Sequence, residues 1–148
     1  MADVPSWLDP YERAKHLLAV KRPAQALPLL EKAIHLAPEE AAPYCQRAIA
    51  LDDLGRRDDA LASVGLALSL APNLEWPHRL LSSLLADAGR YDEAIAAARE
   101  ALRLAPESGL VLHTLYDALV LAEKIDEAKE VAEQHLRVDP TSAFAHLH

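Results

Sequence analysis

The sequence predicts an all-α protein, a right-handed solenoid (superhelix) of four 34-residue helix-turn-helix repeats followed by the start of a fifth first helix. The first observation is a row of four prolines at equal intervals of 34 residues, Pro38, Pro72, Pro106 and Pro140. The second is that apolar residues recur at steps of three and four before each proline, as in amphipathic helices. A fixed period of this length indicates stacked copies of one supersecondary unit.

Alignment on the prolines gives four repeats with the same internal order. They span residues 7–40, 41–74, 75–108 and 109–142, and residues 143–148 look like a partial capping segment that begins another first helix. Because apolar residues are spread evenly, residues 1–148 are expected to form a single domain. Each repeat in such a stack touches only its neighbours, so much of the surface remains available to partners.

The start of the first repeat carries its own signals. Asp9 and Pro10 are predicted to open the first helix, because a carboxylate can cap free backbone N–H groups and proline is tolerated in the first turn. Trp7 precedes them and is expected to cover the N-terminal edge of the stack.

Small residues recur where two helices must approach closely. A larger side chain at such a position would push the helices apart. These positions are Ala14, Ala48 and Ser82 in the first helices, Ala26, Ala60, Ala94 and Ala128 in the second helices, and Ala33, Ala67 and Ala101 facing the next repeat.

The turns inside the repeats are also encoded. Gly55 and Gly89 follow the first helices of repeats 2 and 3, where a left-handed backbone conformation ends a helix at low cost. Asp58, Asp92 and Asp126 are predicted to cap the second helices and to complement the positive end of the helix dipole.

The fourth repeat departs from this pattern. Tyr116 and His135 replace two of the small residues, and Glu123 replaces the turn glycine. Terminal repeats of solenoids are commonly atypical, because one face has no neighbour. We therefore expect this repeat to pack differently from the others.

The agreement of spacing, small positions, turn glycines and prolines resembles the tetratricopeptide repeat family over residues 7–148. Some positions depart from the family pattern. Tyr44 supplies the usual aromatic residue near the start of a first helix, whereas Pro10, His78 and Leu112 occupy that place elsewhere. Arg13 and Arg47 stand where the family usually has leucine, which should weaken those repeats.

Composition restricts the partners. The net charge of −8, without a local cluster of Lys or Arg, disfavours nucleic acid and anionic membrane surfaces. The longest uncharged run, 62–74, is too short and too interrupted to span a membrane, and the first residues lack a signal-peptide pattern. The single cysteine, Cys45, cannot form an intramolecular disulfide, so a cytoplasmic location is expected.

The sequence offers no constellation of catalytic residues. Its seven histidines show no metal-ligand spacing or tight pairing with carboxylates, and Cys45 has no evident histidine partner. There is no phosphate loop or nucleophile elbow either. We predict a protein that is not an enzyme and needs no cofactor or metal.

The resemblance implies a binding surface instead. In this family the first helices form the concave wall, and their matching positions are predicted to contact a peptide or protein partner. Those residues are Tyr11, Lys15, Cys45, Gln46, Ile49, Asp52, Trp76, Arg79, Ser83, His113 and Asp117.

Two residues of this wall are of special interest. Trp76 and Arg79 lie one turn apart and belong to the residue types that dominate binding energy, with Arg79 and Lys15 expected as isolated cations. Packing of Trp76 at the junction before Pro77 is the alternative. The lysine and asparagine set with which some relatives bind chaperone C-termini is missing, which disfavours that partner.

Three functions follow as hypotheses. The leading one is an adaptor or scaffold that holds a peptide or partner segment in its concave groove. The second is self-association into a homo-oligomer through an incompletely capped end, with Phe144 and Leu147 in the contact. The third is an N-terminal regulatory domain of a longer enzyme or membrane protein.

Overall fold

A computed structural model describes residues 3–141, which contain eight α-helices and no strand. The helices are α1 Leu8–Ala19, α2 Pro23–Leu36, α3 Ala41–Asp53, α4 Arg57–Leu70, α5 Glu75–Asp87, α6 Tyr91–Leu104, α7 Gly109–Leu121 and α8 Ile125–Val138. The expectations for residues 143–148, including Phe144 and Leu147, lie outside the described residues. The chain divides into two compact units, Met1–Pro72 and Asn73–His148.

The first unit holds the repeats formed by α1/α2 and α3/α4. Within it α3 packs against both α1 and α2, so the first helices of the two repeats are neighbours. Its core contains fully buried side chains such as Leu30 and Ala33, and Trp7 packs against this core. The Trp7 ring meets Tyr11 edge-on at 5.4 Å between centroids, in agreement with the predicted covering role at the start of α1.

The second unit repeats this arrangement with α5/α6 and α7/α8. Here α7 packs against α5 and α6. Leu112 and Leu119 of α7 are buried to 0% and 1% exposure. In each unit, therefore, one surface is built from first helices alone.

The predicted small positions are confirmed as buried. None of them is more than 2% exposed: Ala14, Ala26, Ala33, Ala48, Ala60, Ala67, Ser82, Ala94, Ala101 and Ala128. The Ser82 hydroxyl also donates a 2.7 Å hydrogen bond to the Ala94 carbonyl, which joins α5 to α6. Small size at these positions lets the helix backbones approach closely.

The turn conformation is the same in all four repeats. Gly55 and Gly89 have φ values of 78° and 77°, as predicted, and Lys21 and Glu123 take the same left-handed conformation at 63° and 61°. The turn of repeat 4 therefore keeps its geometry without glycine. Left-handed backbone costs a non-glycine residue roughly 1–2 kcal/mol.

Removing that strain should stabilise the second unit. We expect Glu123→Gly to raise the free energy of unfolding by about 0.5–1 kcal/mol, since glycine avoids the Cβ clash but adds chain entropy to the unfolded state. Urea unfolding monitored by circular dichroism measures the change. Gly55→Ala should have the opposite sign, because a Cβ there meets no atom within 4 Å and only φ opposes it. A destabilised Glu123→Gly protein would contradict this prediction.

The prediction that aspartates cap the helices is wrong. The helices begin one residue earlier, so Asp58, Asp92 and Asp126 occupy the second helical position, and the preceding cap residues make no side-chain cap bond. Asp9 is likewise inside α1, which begins at Leu8. These carboxylates still lie in the first turn, where they complement the helix dipole. Among the described helix starts, only Ser108 accepts a cap bond, from the Val111 N–H at 3.3 Å.

Arg47 does more than replace a leucine. Its Nε donates to Ser63 Oγ at 3.0 Å, and that hydroxyl donates to the Tyr44 carbonyl at 2.8 Å. The guanidinium also lies 5.2 Å from the Tyr44 ring centroid and 3.6 Å from the Glu31 carboxylate. Arg47 thus connects α2, α3 and α4, whereas Arg13 is exposed and lies 4.0 Å from Asp9.

Repeat 4 accommodates its large residue through a glycine. His135 is only 5% exposed at a position that is alanine in the other repeats. A Cβ at Gly109 would stand 3.1 Å from His135 Nε2, so the absence of a side chain at Gly109 makes room for the imidazole. The expected difference in packing is therefore confined to the α7/α8 contact and does not extend to the turn.

Candidate partner-binding groove

A groove lies between α5 and α7, the first helices of the second unit. We call it the α5/α7 groove, and its cavity measures about 290 Å³. The lining residues are Ser82, Ser83, Ala86, Asp87, Thr114, Asp117, Ala118, Val120 and Leu121. The groove is thus formed by the type of helix that was predicted to carry the binding surface.

The apolar part of the groove consists of small and branched side chains. Ala86 and Ala118 leave space between the helices, while Val120 and Leu121 are 38% and 47% exposed. Apolar surface of this kind gains free energy when a partner removes it from water. The groove therefore offers hydrophobic contact next to its polar groups.

The hydroxyl groups of the groove donate their hydrogen bonds to backbone carbonyls. Ser82 donates to the Ala94 carbonyl at 2.7 Å, Ser83 to the Arg79 carbonyl at 3.4 Å, and Thr114 to the Leu110 carbonyl at 2.9 Å. A hydroxyl has one donor and two acceptor lone pairs. Ser83 and Thr114 consequently present acceptors to a ligand, whereas Ser82 is only 1% exposed and is bonded to α6.

Two carboxylates complete the polar lining, Asp87 and Asp117, and no lysine or arginine belongs to it. Asp117 Oδ2 lies 3.2 Å from Nε2 of His113, one turn earlier on α7. Burial raises the pKa of Asp117, and the charge of His113 opposes that shift. The charged residues that line the groove are therefore all acidic.

The predicted site residues of the second unit are only partly brought together. Ser83 and Asp117 line the groove, and His113 contacts Asp117. Trp76 and Arg79 are half-buried on α5 and do not belong to the lining. Arg79 is not an isolated cation, because its Nε lies 3.0 Å from the Glu75 carboxylate on the same helix.

In the first unit, two predicted contact residues are buried. Tyr11 is 8% exposed and Cys45 is fully buried, so both lie beneath the surface. Burial raises the pKa of Tyr11, opposed by a hydrogen bond with Gln46. The Lys15 amine lies 5.3 Å from the Tyr11 ring centroid and 3.5 Å from Glu12, so it is not isolated either.

The remaining residues of that set are partly exposed. Ile49 packs against the core of the first unit, and Asp52 lies 3.4 Å from Arg57 Nε. Together with Lys15 and Gln46 they form the accessible part of the α1/α3 surface. No single chemical character dominates this surface.

Six groove residues were not named from the sequence, although the repeat pattern contains a signal for five of them. The family resemblance points to the sixth, twelfth and thirteenth positions of each repeat. Applied to repeats 3 and 4, these positions give the groove residues Ala86, Asp87, Thr114, Val120 and Leu121, and also Leu80, which does not line the groove.

The part of the chain that the structure describes contains neither a metal-binding cluster nor a membrane-spanning helix. Across residues 3–141, no group of three or more His, Cys, Asp or Glu side chains is arranged to hold a metal ion. In the same part of the chain, no helix combines the length and apolarity needed to cross a membrane.

Comparison with known proteins identifies the repeat. The tetratricopeptide repeat family model matches residues 85–148. The same 34-residue helix pairs continue through the N-terminal part of the chain, so the described residues share the tetratricopeptide repeat fold throughout. Curated protein sequences provide no significant match.

Solved structures share the fold over nearly the whole chain. PilF from Pseudomonas aeruginosa is 22% identical with a TM-score of 0.86, covering 94% of this chain and 64% of its own. TTC0263, described as a thermophilic tetratricopeptide repeat protein from Thermus thermophilus, is 20% identical with a TM-score of 0.82, covering 92% and 76%. MamA from Desulfovibrio magneticus RS-1 is 21% identical with a TM-score of 0.79, covering 95% and 80%. These similarities show an all-α tetratricopeptide repeat solenoid.

Proposed function

We propose that this chain is a non-catalytic protein-interaction module, an adaptor or scaffold, and that the α5/α7 groove holds a peptide or a segment of a partner protein. The observation that carries the proposal is the groove itself, with exposed apolar side chains beside convergent hydrogen-bond acceptors. Its cavity of about 290 Å³ is at the lower limit of small-molecule pockets, which begin near roughly 300 Å³. The size suits one or two side chains of a longer segment.

The physical account of binding follows from the lining. An anchor side chain enters between α5 and α7 and covers Val120 and Leu121, while its polar groups meet Asp87, Asp117 and the hydroxyl acceptors. The remainder of the segment runs along the exposed first helices. Such complexes draw most of their affinity from a few anchors at the centre.

A peptide-display selection tests this function. A random 12-residue library is panned on the wild type and on Ser83→Trp, in which the new indole fills the groove from an exposed position. Ser69→Trp places the same residue on an exposed part of α4 and serves as the matched control. The wild type and Ser69→Trp should enrich one motif that Ser83→Trp fails to enrich, with all three proteins folded by circular dichroism. Absence of any enriched motif would contradict the proposal.

Self-association is a second candidate, favoured by exposed apolar side chains in repeat 4. Leu110 is 64% exposed, and Leu121 and Ile125 are each 47% exposed. Sedimentation equilibrium over a hundredfold concentration range separates the two functions. A mass that stays at 16.2 kDa removes this candidate, whereas dimerisation abolished by Leu110→Ser with Ile125→Ser supports it.

A reducing, cytoplasmic setting is part of the leading proposal. It is supported by the single thiol of Cys45, which is buried and has no second cysteine in the chain to pair with.

A further inference from the structure

We infer that the α5/α7 groove selects a partner segment that inserts a lysine or arginine side chain. This inference rests on the proposed function and names the chemistry of the anchor. Its basis is the combination of an apolar cleft with a polar lining that carries negative charge and accepts hydrogen bonds.

The polar groups of the α5/α7 groove are hydrogen-bond acceptors. The accessible hydroxyls of Ser83 and Thr114 each donate to a backbone carbonyl of their own helix, which leaves their oxygens as acceptors. The carboxyl groups of Asp87 and Asp117 add further acceptor oxygens. An ammonium or guanidinium group has three or five donors and no acceptor, so it complements this lining.

The charged residues of the groove also favour a lysine or arginine side chain. Two carboxylates belong to the lining and no lysine or arginine does. A cation between them forms charge-assisted hydrogen bonds, and the chain's net charge of −8 favours encounter with a basic segment. An acidic side chain would lose its hydration and face lone pairs, which is unfavourable.

The apolar walls fit the stem of the same side chain. Lysine and arginine cover apolar surface with their methylene groups while the charged end stays among polar groups. Val120 and Leu121 provide that surface beside Asp117 on α7, and Ala86 provides it beside Asp87 on α5. One long basic side chain can therefore use both parts of the groove.

The carboxylate of Asp117 distinguishes this pair of helices from α1 and α3. The position held by Asp117 in repeat 4 is Lys15 in repeat 1, Ile49 in repeat 2 and Ser83 in repeat 3. On the α1/α3 surface this column consequently supplies a cation and an apolar residue. The Asp87 position is Asp53 in repeat 2, so at the positions matching Asp87 and Asp117 this surface has a carboxylate on α3 alone, and we expect weaker selection for basic residues there.

The test uses the random 12-residue library and then synthetic peptides of its most enriched sequence. One peptide carries the enriched lysine, a second Nε-acetyl-lysine and a third glutamate at that place. The proteins are the wild type, Asp87→Asn/Asp117→Asn, and Glu130→Gln/Glu133→Gln. The last is a matched control that loses two negative charges at exposed positions of α8 outside the groove.

We expect a lysine or arginine consensus and at least about tenfold weaker binding of the acetylated peptide to the wild type, because acetylation removes the charge-assisted bonds. The ratio of the Kd of the acetylated peptide to that of the lysine peptide should fall to about one in Asp87→Asn/Asp117→Asn. In the α8 control it should stay at the wild-type value. The acetylation comparison on the wild type needs no variant, and loss of binding in Ser83→Trp places the lysine in the groove even if the double variant misfolds.

Two other results would overturn the inference in different ways. An apolar or acidic consensus that Ser83→Trp abolishes would confirm groove binding and refute the basic anchor. Enrichment of no motif at all would remove the proposed function together with the anchor.

Discussion

Replacing Ala94 by leucine is expected to lower the free energy of unfolding by about 3 kcal/mol, the upper part of the range for overpacked cores. Ala94 is completely buried where α6 crosses α5, and its carbonyl accepts the 2.7 Å hydrogen bond from Ser82. A leucine side chain there must separate the helices or leave its preferred rotamer. Both responses also lengthen the bond from Ser82.

The matched control is Ala96→Leu in the same helix. Ala96 is exposed, and leucine is nearly as good a helix former as alanine, so its effect should stay within about 0.5 kcal/mol. Urea unfolding followed by circular dichroism compares the two proteins. Equal midpoints for Ala94→Leu and Ala96→Leu would show that the α5/α6 crossing is not tight.

Replacing Arg47 by alanine is expected to lower the free energy of unfolding by about 2 kcal/mol, the magnitude of a hydrogen bond to a charged group with its packing. The substitution removes the bond to Ser63 Oγ, the contact with the Tyr44 ring and the ion pair with Glu31. Because the Arg47 side chain is only 18% exposed, it also leaves a cavity.

Arg13 provides the comparison, since it stands at the same position of repeat 1. Its side chain is 66% exposed and 4.0 Å from Asp9, so Arg13→Ala should change stability by less than about 0.5 kcal/mol. Thermal and urea unfolding of both variants measure the difference. Similar losses for the two arginines would contradict the role assigned to the Arg47 network.

The fold could be predicted from the sequence because the period itself encodes it. Four equally spaced prolines fixed the repeat boundaries, and small residues such as Ala60 marked close helix contacts that burial confirms. Helix starts were less accessible. The sequence does not distinguish an aspartate that caps a helix from one at the second helical position. The backbone dihedrals of the preceding turn decide which residue begins the helix.

The left-handed turns of repeats 1 and 4 could not be read from residue type. Lys21 and Glu123 adopt a conformation that their side chains disfavour, because the helix packing on either side of the turn determines it. The same tertiary constraint makes room for His135 opposite Gly109. A contact such as that between His135 and Gly109 can be recognised only from the packing of the two helices.

The sequence predicted which helices form the candidate binding surface, but not which of their residues line the groove. Repeat positions gave Ser83 and Asp117, which line the groove. The expectation that Arg79 was isolated failed because its partner, Glu75, sits one turn earlier on the same helix. Burial of Cys45 depends on how helices stack, which position in the repeat does not reveal.

The most direct test of groove binding is a ¹⁵N NMR titration of the labelled protein with the peptide enriched by display. We predict that the largest chemical-shift changes fall on α5 and α7, including the amides of Ser83, Thr114 and Asp117, and that Ser83→Trp removes them. Saturable binding with changes confined to the second helices or to the first unit would contradict the α5/α7 groove as the partner site.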